Sequence, residues 1–159
     1  ILAYENISVE KALGSLLAKN DVKVSFVESI TGGLLSSLLV KNPGISKYFI
    51  GSDIVYGNQA KSILLNDNDI DFENWEELCV NLTHSSLEKY KTDICLTILG
   101  EAGPLSSSKY AVGTIFICIS NGDKTVITDH KMNGNREEIL QRSANKAQWE
   151  LIKFIKKFY

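Results

Sequence analysis

The sequence has almost no excess of charge and no long apolar run, and each shortage excludes a class of function. It carries 17 lysines and arginines against 19 aspartates and glutamates, for a net charge of −2. This balance gives no electrostatic attraction to nucleic acids or to an anionic membrane surface. The apolar runs are too short to cross a bilayer, and no signal-peptide pattern is present. We therefore expect neither a nucleic-acid partner nor a membrane partner.

The cysteines and histidines are too few and too scattered for a disulfide framework or a metal site. Cys79, Cys95 and Cys118 are widely spaced, and each lies in an apolar run. This pattern is typical of buried free thiols in a reducing compartment, so we expect a cytoplasmic location. His84 and His130 are far apart, and the sequence organises no carboxylates around them. We expect no bound metal and no cofactor.

The order of predicted helices and strands indicates an α/β fold with a single domain over residues 1–159. The chain is long enough for a sizeable core, and 44% of its residues are hydrophobic. Helices precede, separate and follow the strands, which favours a three-layer α/β/α sandwich around a mixed sheet. The predicted helices cover about 6–19, 32–41, 59–65, 73–91 and 135–157, and the predicted strands about 22–26, 48–56, 93–99, 112–120 and 124–130.

Three of these strands carry more specific signals. Val22, Val24 and Phe26 alternate with polar residues, which predicts a strand with one buried face. Gly51-Ser52 interrupts the second strand and predicts a bulge there. Asn121-Gly122 is typical of a type I′ hairpin turn between the last two strands.

The stretch from Glu28 to Gly33 concentrates polar groups where a strand gives way to a helix. It contains a carboxylate, the hydroxyls of Ser29 and Thr31, and two glycines. A strand that breaks over glycines into a helix directs unpaired backbone N–H groups at one point, which attracts a phosphate or a developing oxyanion. Ser29 lies where the chain leaves the sheet and is a candidate nucleophile. The same residues also fit a simple helix cap and glycine turn.

Three loops at strand ends combine glycine with polar groups, and we expect them to converge. They are Glu28–Gly33, Tyr56–Lys61 and Gly100–Pro104. A serine nucleophile requires a base, and no histidine is well placed in the sequence to serve Ser29. A lysine can serve if its pKa is lowered.

Six motifs follow one another along the chain: Glu28-Ser29-Ile30-Thr31-Gly32-Gly33-Leu34, Asn42-Pro43-Gly44-Ile45-Ser46, Tyr56-Gly57-Asn58-Gln59-Ala60-Lys61, Gly100-Glu101-Ala102-Gly103-Pro104, Val112-Gly113-Thr114 and Gly134-Asn135-Arg136. In this order they resemble the C-terminal domain of the competence/damage-inducible protein CinA. The resemblance covers essentially the whole chain, and members of that family are nicotinamide-nucleotide amidases.

The resemblance implies hydrolysis of nicotinamide mononucleotide to nicotinate mononucleotide and ammonia, in the recycling of pyridine nucleotides. It implies Ser29 as nucleophile, Lys61 as base and Tyr56 as a nearby group that relays or orients the proton. Lys61 lies in the first turns of a helix, where the macrodipole disfavours the ammonium form. Without the motif, Lys61 also fits an ordinary solvated lysine. It also implies a small-molecule nucleotide substrate and a homo-oligomer, a dimer or higher. The implied substrate-binding residues are Glu28, Thr31, Gly32, Gly33, Asn58, Gly100, Ala102, Gly103 and Arg136, the last through phosphate binding or support of the site.

The sequence departs from the family pattern close to the implied site. Ile30 replaces the cysteine that usually follows the serine. The family loop Thr-Gly-Ile-Ala-Gly-Pro is replaced by residues 99–104, so that a threonine hydroxyl is lost at Leu99 and a charge is gained at Glu101. The alternatives are a divergent nucleotide- or phosphate-binding domain without amidase activity and a domain with only structural contacts.

Overall fold

The computed structural model describes residues 7–159 and contains five strands, five α-helices and one short 3₁₀ helix. The first residue of the earliest predicted helix, residue 6, lies outside the described part. In chain order the elements are α1 Val9–Asn20, β1 Val24–Glu28, α2 Leu34–Leu39, the 3₁₀ helix Ile45–Lys47, β2 Phe49–Ile54, α3 Asn58–Leu65, α4 Trp75–Tyr90, β3 Ile94–Gly100, β4 Thr114–Ser120, β5 Thr125–Lys131 and α5 Arg136–Phe158.

The strands form one mixed sheet in the order β2-β1-β3-β4-β5. β1 runs parallel to both β2 and β3, whereas β3, β4 and β5 pair antiparallel. Two crossover connections through helices join the three parallel strands, and a hairpin joins β4 to β5 at the other side of the sheet. This topology places the carboxyl ends of β1, β2 and β3 at one edge, where the predicted loops begin.

Apolar side chains cover both faces of the sheet, which confirms the three-layer sandwich. On one face α1, α2 and α5 pack against Phe26, Leu96 and Ile117. On the other face α4 packs against Val27 and Cys118, with α3 beside it. The chain therefore forms one α/β domain with a core on each side of the sheet.

The prediction of a strand with one buried face near Val24 is wrong, because all five residues of β1 are buried. β1 lies inside the sheet with a helical layer on each side. The apparent alternation arises from Ser25, whose hydroxyl lies 3.0 Å from the Ser86 hydroxyl and 2.9 Å from the Thr92 hydroxyl. A hydrogen-bonded serine is tolerated in a core, so alternation in sequence did not mean exposure.

The hairpin is confirmed, but its turn is not type I′. Ser120 pairs with Thr125, so the loop has four residues. A type I′ turn needs positive φ at both central residues, whereas only Gly122 shows it here, at +87°. The Asn121 side chain instead accepts hydrogen bonds from the N–H groups of Asp123 and Lys124, which stabilises the longer loop.

The predicted bulge in β2 exists, one residue earlier than expected. Val24 pairs with Phe49, and Ser25 pairs with Gly51, so Ile50 is the extra residue. The bulge follows the position where the chain enters the sheet from the 3₁₀ helix.

All three cysteines are buried and unpaired, as predicted. Burial raises the pKa of the Cys95 and Cys118 thiols to about 11, so both are protonated and unreactive at neutral pH. Within residues 7–159, no helix is both long and apolar enough to span a membrane.

Candidate active site

Ser29 lies directly after β1, between the ends of the neighbouring strands. Its N–H donates to the carbonyl of Ile98 on β3 at 3.1 Å, so the sheet hydrogen bonding continues to this residue. The chain then turns through Gly32 and Gly33, whose φ angles of +57° and +107° suit glycine. The Ser29 side chain is 8% exposed and borders two cavities. A rigid strand thus presents the serine hydroxyl at the edge of the sheet.

The anion expected at the start of α2 is the protein's own Glu28 carboxylate. Glu28 is fully buried, and its oxygens accept hydrogen bonds from the Thr31 and Ser36 hydroxyls. They also accept the backbone N–H groups of Gly33, Leu35 and Ser36 at 2.9–3.1 Å. Negative charge at a helix N-terminus is favourable, and hydrogen bonds from the protein take the place of water around the Glu28 carboxylate.

Two backbone N–H groups beside Ser29 remain available. Within residues 7–159, the N–H groups of Ile30 and Thr31 find no acceptor, whereas the other N–H groups of the turn bond to carbonyls or to Glu28. The N–H that directly follows a nucleophile is a common donor to a developing oxyanion.

Two adjoining cavities meet at Ser29 and share Tyr56, Gly100, Glu101 and Ser107. The first, which we call the lysine cavity, has a volume of about 140 Å³ and also contains Asn58, Lys61 and Trp75. The second, the arginine cavity, has a volume of about 320 Å³ and also contains Ile30, Ala102, Gly103 and Arg136.

The three predicted loops therefore converge, with α5 completing the site. Eight of the predicted site residues line one or both cavities: Ser29, Tyr56, Asn58, Lys61, Gly100, Ala102, Gly103 and Arg136. The structure does not bring Glu28, Thr31, Gly32 or Gly33 to the cavity walls. These four build the turn that holds Ser29.

Lys61 is held in the lysine cavity with its pKa lowered. Its side chain is only 6% exposed, and loss of solvation lowers the pKa from 10.5 to about 8. Nζ donates to the carbonyls of Val55 at 2.8 Å and Tyr56 at 3.2 Å. A neutral amine has two N–H donors, which these carbonyls can accept, and its lone pair is then free to take a proton.

Tyr56 contributes a main-chain acceptor for Lys61, while its side chain bonds elsewhere. The hydroxyl accepts a hydrogen bond from Arg136 Nη2 at 2.7 Å, and the side chain is 58% exposed. The predicted proton relay through this hydroxyl therefore has no hydrogen-bonded path to Lys61 in this structure.

Arg136, the first residue of α5, joins two walls of the arginine cavity. Its Nη1 donates to the carbonyl of Gly103, and its Nη2 donates to the Tyr56 hydroxyl. A guanidinium has five N–H donors, so donors remain for a ligand. Of the two roles predicted for Arg136, support of the site is visible directly.

Gly100 permits a close approach between the end of β3 and Ile30. A Cβ at this position would lie 2.5 Å from the Ile30 methyl group and 2.8 Å from Ile115. A side chain there would push the serine turn away from the cavity wall.

The sequence did not identify Glu101, Ser107 and Trp75 as site residues. The sequence signal for Glu101 as a site residue was the charge that it adds to a glycine-containing loop. Trp75 matched the apolar face of α4, where it stacks on Tyr110 with ring centroids 4.1 Å apart, and its cavity edge had no sequence signal.

Comparison with known sequences agrees with the fold and the motif order. The family model of the CinA C-terminal domain matches residues 6–155. A CinA-like protein of Petrotoga mobilis is 32% identical over 157 residues, which covers 96% of this chain and 39% of the relative. A CinA-like protein of Thermotoga neapolitana is 34% identical over 153 residues, which covers 93% and 37%. The chain thus spans less than two fifths of the length of these relatives.

Solved structures with the same fold have lower sequence identity. The competence-damaged protein (CinA) superfamily protein from Enterobacter cloacae superposes with a TM-score of 0.83, 22% identity and 94% coverage of both chains. The competence or damage-inducible protein from Enterobacter asburiae gives 0.83 and 21%, covering 94% of this chain and 99% of the other. Taken together with the match over nearly all residues, these findings show that the chain belongs to the CinA C-terminal domain family.

Proposed function

We propose that this domain hydrolyses the carboxamide of nicotinamide mononucleotide to nicotinate mononucleotide and ammonia. The observation that carries the proposal is that Ser29, at the end of a strand, and Lys61, a buried lysine of lowered pKa, line the same cavity. Serine nucleophiles need a base whose pKa is near the operating pH, and Lys61 meets that condition. Membership of a family that includes nicotinamide-nucleotide amidases supports the choice of substrate.

The first half of the reaction forms an acyl-enzyme. Neutral Lys61 removes the proton from Ser29 Oγ, and Oγ attacks the carboxamide carbon. The resulting oxyanion is stabilised by backbone N–H groups, for which Ile30 is the nearest in sequence to the nucleophile. Lys61 then returns the proton to the leaving nitrogen, the C–N bond breaks and ammonia departs.

The second half uses water in place of the serine. Lys61 takes a proton from water, and the hydroxide attacks the ester carbon. Collapse of this second tetrahedral species breaks the bond to Oγ, which regains its proton from Lys61, and nicotinate mononucleotide is released. No group other than Ser29 and Lys61 has to exchange protons.

The arginine cavity supplies a place for the phosphate. Arg136 is the cationic residue of its wall, and a planar guanidinium binds phosphate oxygens in a bidentate manner. The amide end of the substrate then reaches Ser29, where both cavities meet.

The direct test measures ammonia and nicotinate mononucleotide after incubation with nicotinamide mononucleotide. We expect both products in equal amounts from the wild type and none from Ser29→Ala. Ser37→Ala, on the exposed side of α2, is the matched control and should retain full activity. Absence of product from the wild type, under conditions where another family enzyme is active, would refute the proposal.

A second candidate function is nucleotide binding without hydrolysis. Two observations favour it. The Glu101 carboxylate lies in the cleft that the lysine cavity and the arginine cavity form together, and within residues 7–159 no hydrogen bond joins Ser29 to Lys61. Catalytic hydrogen bonds are often formed only when substrate is bound, so the two candidates need an experiment. Binding alone would raise the melting temperature with nucleotide while producing no ammonia.

We also propose a homo-oligomer and a cytoplasmic location. The edge strand β2 leaves Ile50 and Ile54 exposed, which suits contact with another copy of the chain. Light scattering on the purified protein measures the mass, and a monomer at micromolar concentration would contradict the assembly. Three unpaired buried thiols are compatible with a reducing compartment.

A further inference from the structure

The Glu101 carboxylate is buried in the cleft with little compensation for its charge. The residue is 7% exposed and lines both cavities beside Ser29. Within the described part of the chain, its side-chain oxygens accept hydrogen bonds from Ser107 alone, from the hydroxyl at 3.1 Å and 3.4 Å and from the backbone N–H at 3.4 Å. These are long contacts for a carboxylate, which prefers donors nearer 2.8 Å.

The two cations of the cleft do not neutralise Glu101. Lys61 donates to the carbonyls of Val55 and Tyr56, and burial alone accounts for its lowered pKa. Arg136 is bound to Gly103 and to the Tyr56 hydroxyl. Within residues 7–159, no ion pair with Glu101 is formed. A buried carboxylate without a cation is costly, and a positively charged ligand group would offset that cost.

We propose that Glu101 is a specificity-determining residue whose carboxylate receives the positive charge of the ring that carries the scissile amide. This inference rests on the proposed function. Nicotinamide mononucleotide has a cationic pyridinium ring at one end and an anionic phosphate at the other. The two cavities match this arrangement, because Glu101 lines both of them together with Ser29, whereas Arg136 lines the arginine cavity and not the lysine cavity. An amide on a neutral ring would leave Glu101 without its partner.

The test compares two ligands that differ by one hydride on the ring and therefore in ring charge. Nicotinamide mononucleotide has the cationic ring, and its reduced dihydro form has a neutral ring with the same amide, ribose and phosphate. Dissociation constants are measured by calorimetry in Ser29→Ala, which prevents turnover. We expect the cationic ligand to bind roughly tenfold more tightly than the neutral one, or better, because an interaction with a charged group changes a dissociation constant by about that factor.

Substitution of Glu101 should remove this preference. In Ser29→Ala/Glu101→Gln the ratio of the two dissociation constants should fall to about 1, because the amide keeps the Ser107 contacts without the charge. Glu101→Ile, which restores the apolar residue of the family loop, should give the same ratio. Glu76→Gln removes an exposed carboxylate of α4 outside the cleft and should leave the ratio unchanged.

The outcomes separate this inference from the proposed function. A ratio near 1 in Ser29→Ala, or a ratio that stays high in both Glu101 variants, overturns the role of Glu101. Ammonia release by the wild type together with either result would leave the amidase proposal intact. A high, Glu101-dependent ratio without ammonia release from the wild type would retain the charge-reading subsite and refute the hydrolysis.

Discussion

Glu28 and Glu101 are both buried glutamates at the ends of the neighbouring strands β1 and β3, yet their surroundings differ. Five donors from the start of α2 surround the Glu28 carboxylate, which faces the protein. Among residues 7–159, the Glu101 carboxylate accepts hydrogen bonds from Ser107 alone, and it borders both cavities. The first carboxylate holds together the turn that carries Ser29, whereas the second is available to a ligand.

The two glutamates mark two walls of the cleft. We call the end of β1 and the turn after it the fixed wall, and the loop from Glu101 to Tyr110 the adaptable wall. On the β1 side, sheet pairing, glycine turns and a solvated carboxylate fix Ser29. On the β3 side, the loop from Glu101 to Tyr110 lies outside the sheet, and separate contacts hold it in place. The Ser106 hydroxyl donates to the Tyr110 carbonyl within the loop, while Arg136 and Trp75 contact Gly103 and Tyr110 from other elements. Chemistry that must be positioned to a fraction of an ångström belongs on the fixed wall, and substrate discrimination can vary on the other.

The largest expected effect comes from disturbing the fixed wall itself. Glu28→Gln replaces an acceptor-only group with an amide whose N–H₂ must face the N–H donors of α2. We expect a loss of about 3–5 kcal/mol in the free energy of unfolding, as for a broken buried charge network, together with loss of activity. Urea denaturation measures the stability.

A matched control for that variant is Glu138→Gln. Glu138 also accepts a backbone N–H at a helix start, in the capping box of α5, but it is exposed. Its replacement should cost about 1 kcal/mol or less. Equal losses in the two variants would contradict the structural role of Glu28.

The next effect concerns Lys61. Lys61→Arg keeps the positive charge but cannot act as a base, so kcat should fall on the order of 10³-fold with normal folding. For the wild type, kcat/KM should rise with pH through the Lys61 pKa of about 8, because the base must be unprotonated. Lys47→Arg, on the surface, should change neither. Substantial kcat in Lys61→Arg would exclude Lys61 as the base.

The buried amine should also give stability a measurable pH dependence. The folded pKa of about 8 lies below the value of 10.5 for an unperturbed lysine, so between these values the unfolded chain binds more protons. The free energy of unfolding should therefore rise with pH in this window. From pH 7 to 9.5 the wild type should gain about 2 kcal/mol relative to Lys61→Met. A constant difference between the two proteins would place Lys61 in solvent.

The smallest expected effect is on the adaptable wall. Glu101→Gln should change the free energy of unfolding by less than about 1 kcal/mol, because the glutamine oxygen can still accept from Ser107. Thermal and urea unfolding without ligand measure this. A loss comparable to that of Glu28→Gln would mean that both carboxylates are structural and would remove the contrast between the two walls.

The sequence was sufficient for the layers and for the loops that meet, because both depend on patterns along the chain. Ser29 and Lys61 were expected together from the family resemblance; the structure places both on one cavity wall, and their catalytic roles stay predictions. The sequence could not show that Glu28 faces inward, since the five donors converge only once α2 is formed. It also could not place Glu101 against the cavity, which is built from loops that are distant in sequence. Asn121-Gly122 gave the hairpin but not its loop length, because the asparagine side chain stabilises a longer turn.

The long-range contacts of Arg136 affect when the site is completed during folding. Its guanidinium bridges Gly103 and Tyr56, 33 and 80 residues away along the chain. Contacts over such separations require large loops to close, which slows their formation relative to local structure. Ser29 can be seated as soon as β1 and β3 pair, but the arginine cavity gains its wall only when α5 docks. In a refolding experiment, ligand binding should therefore recover no earlier than the sheet, whose own pairing of Val24 with Ile94 spans 70 residues.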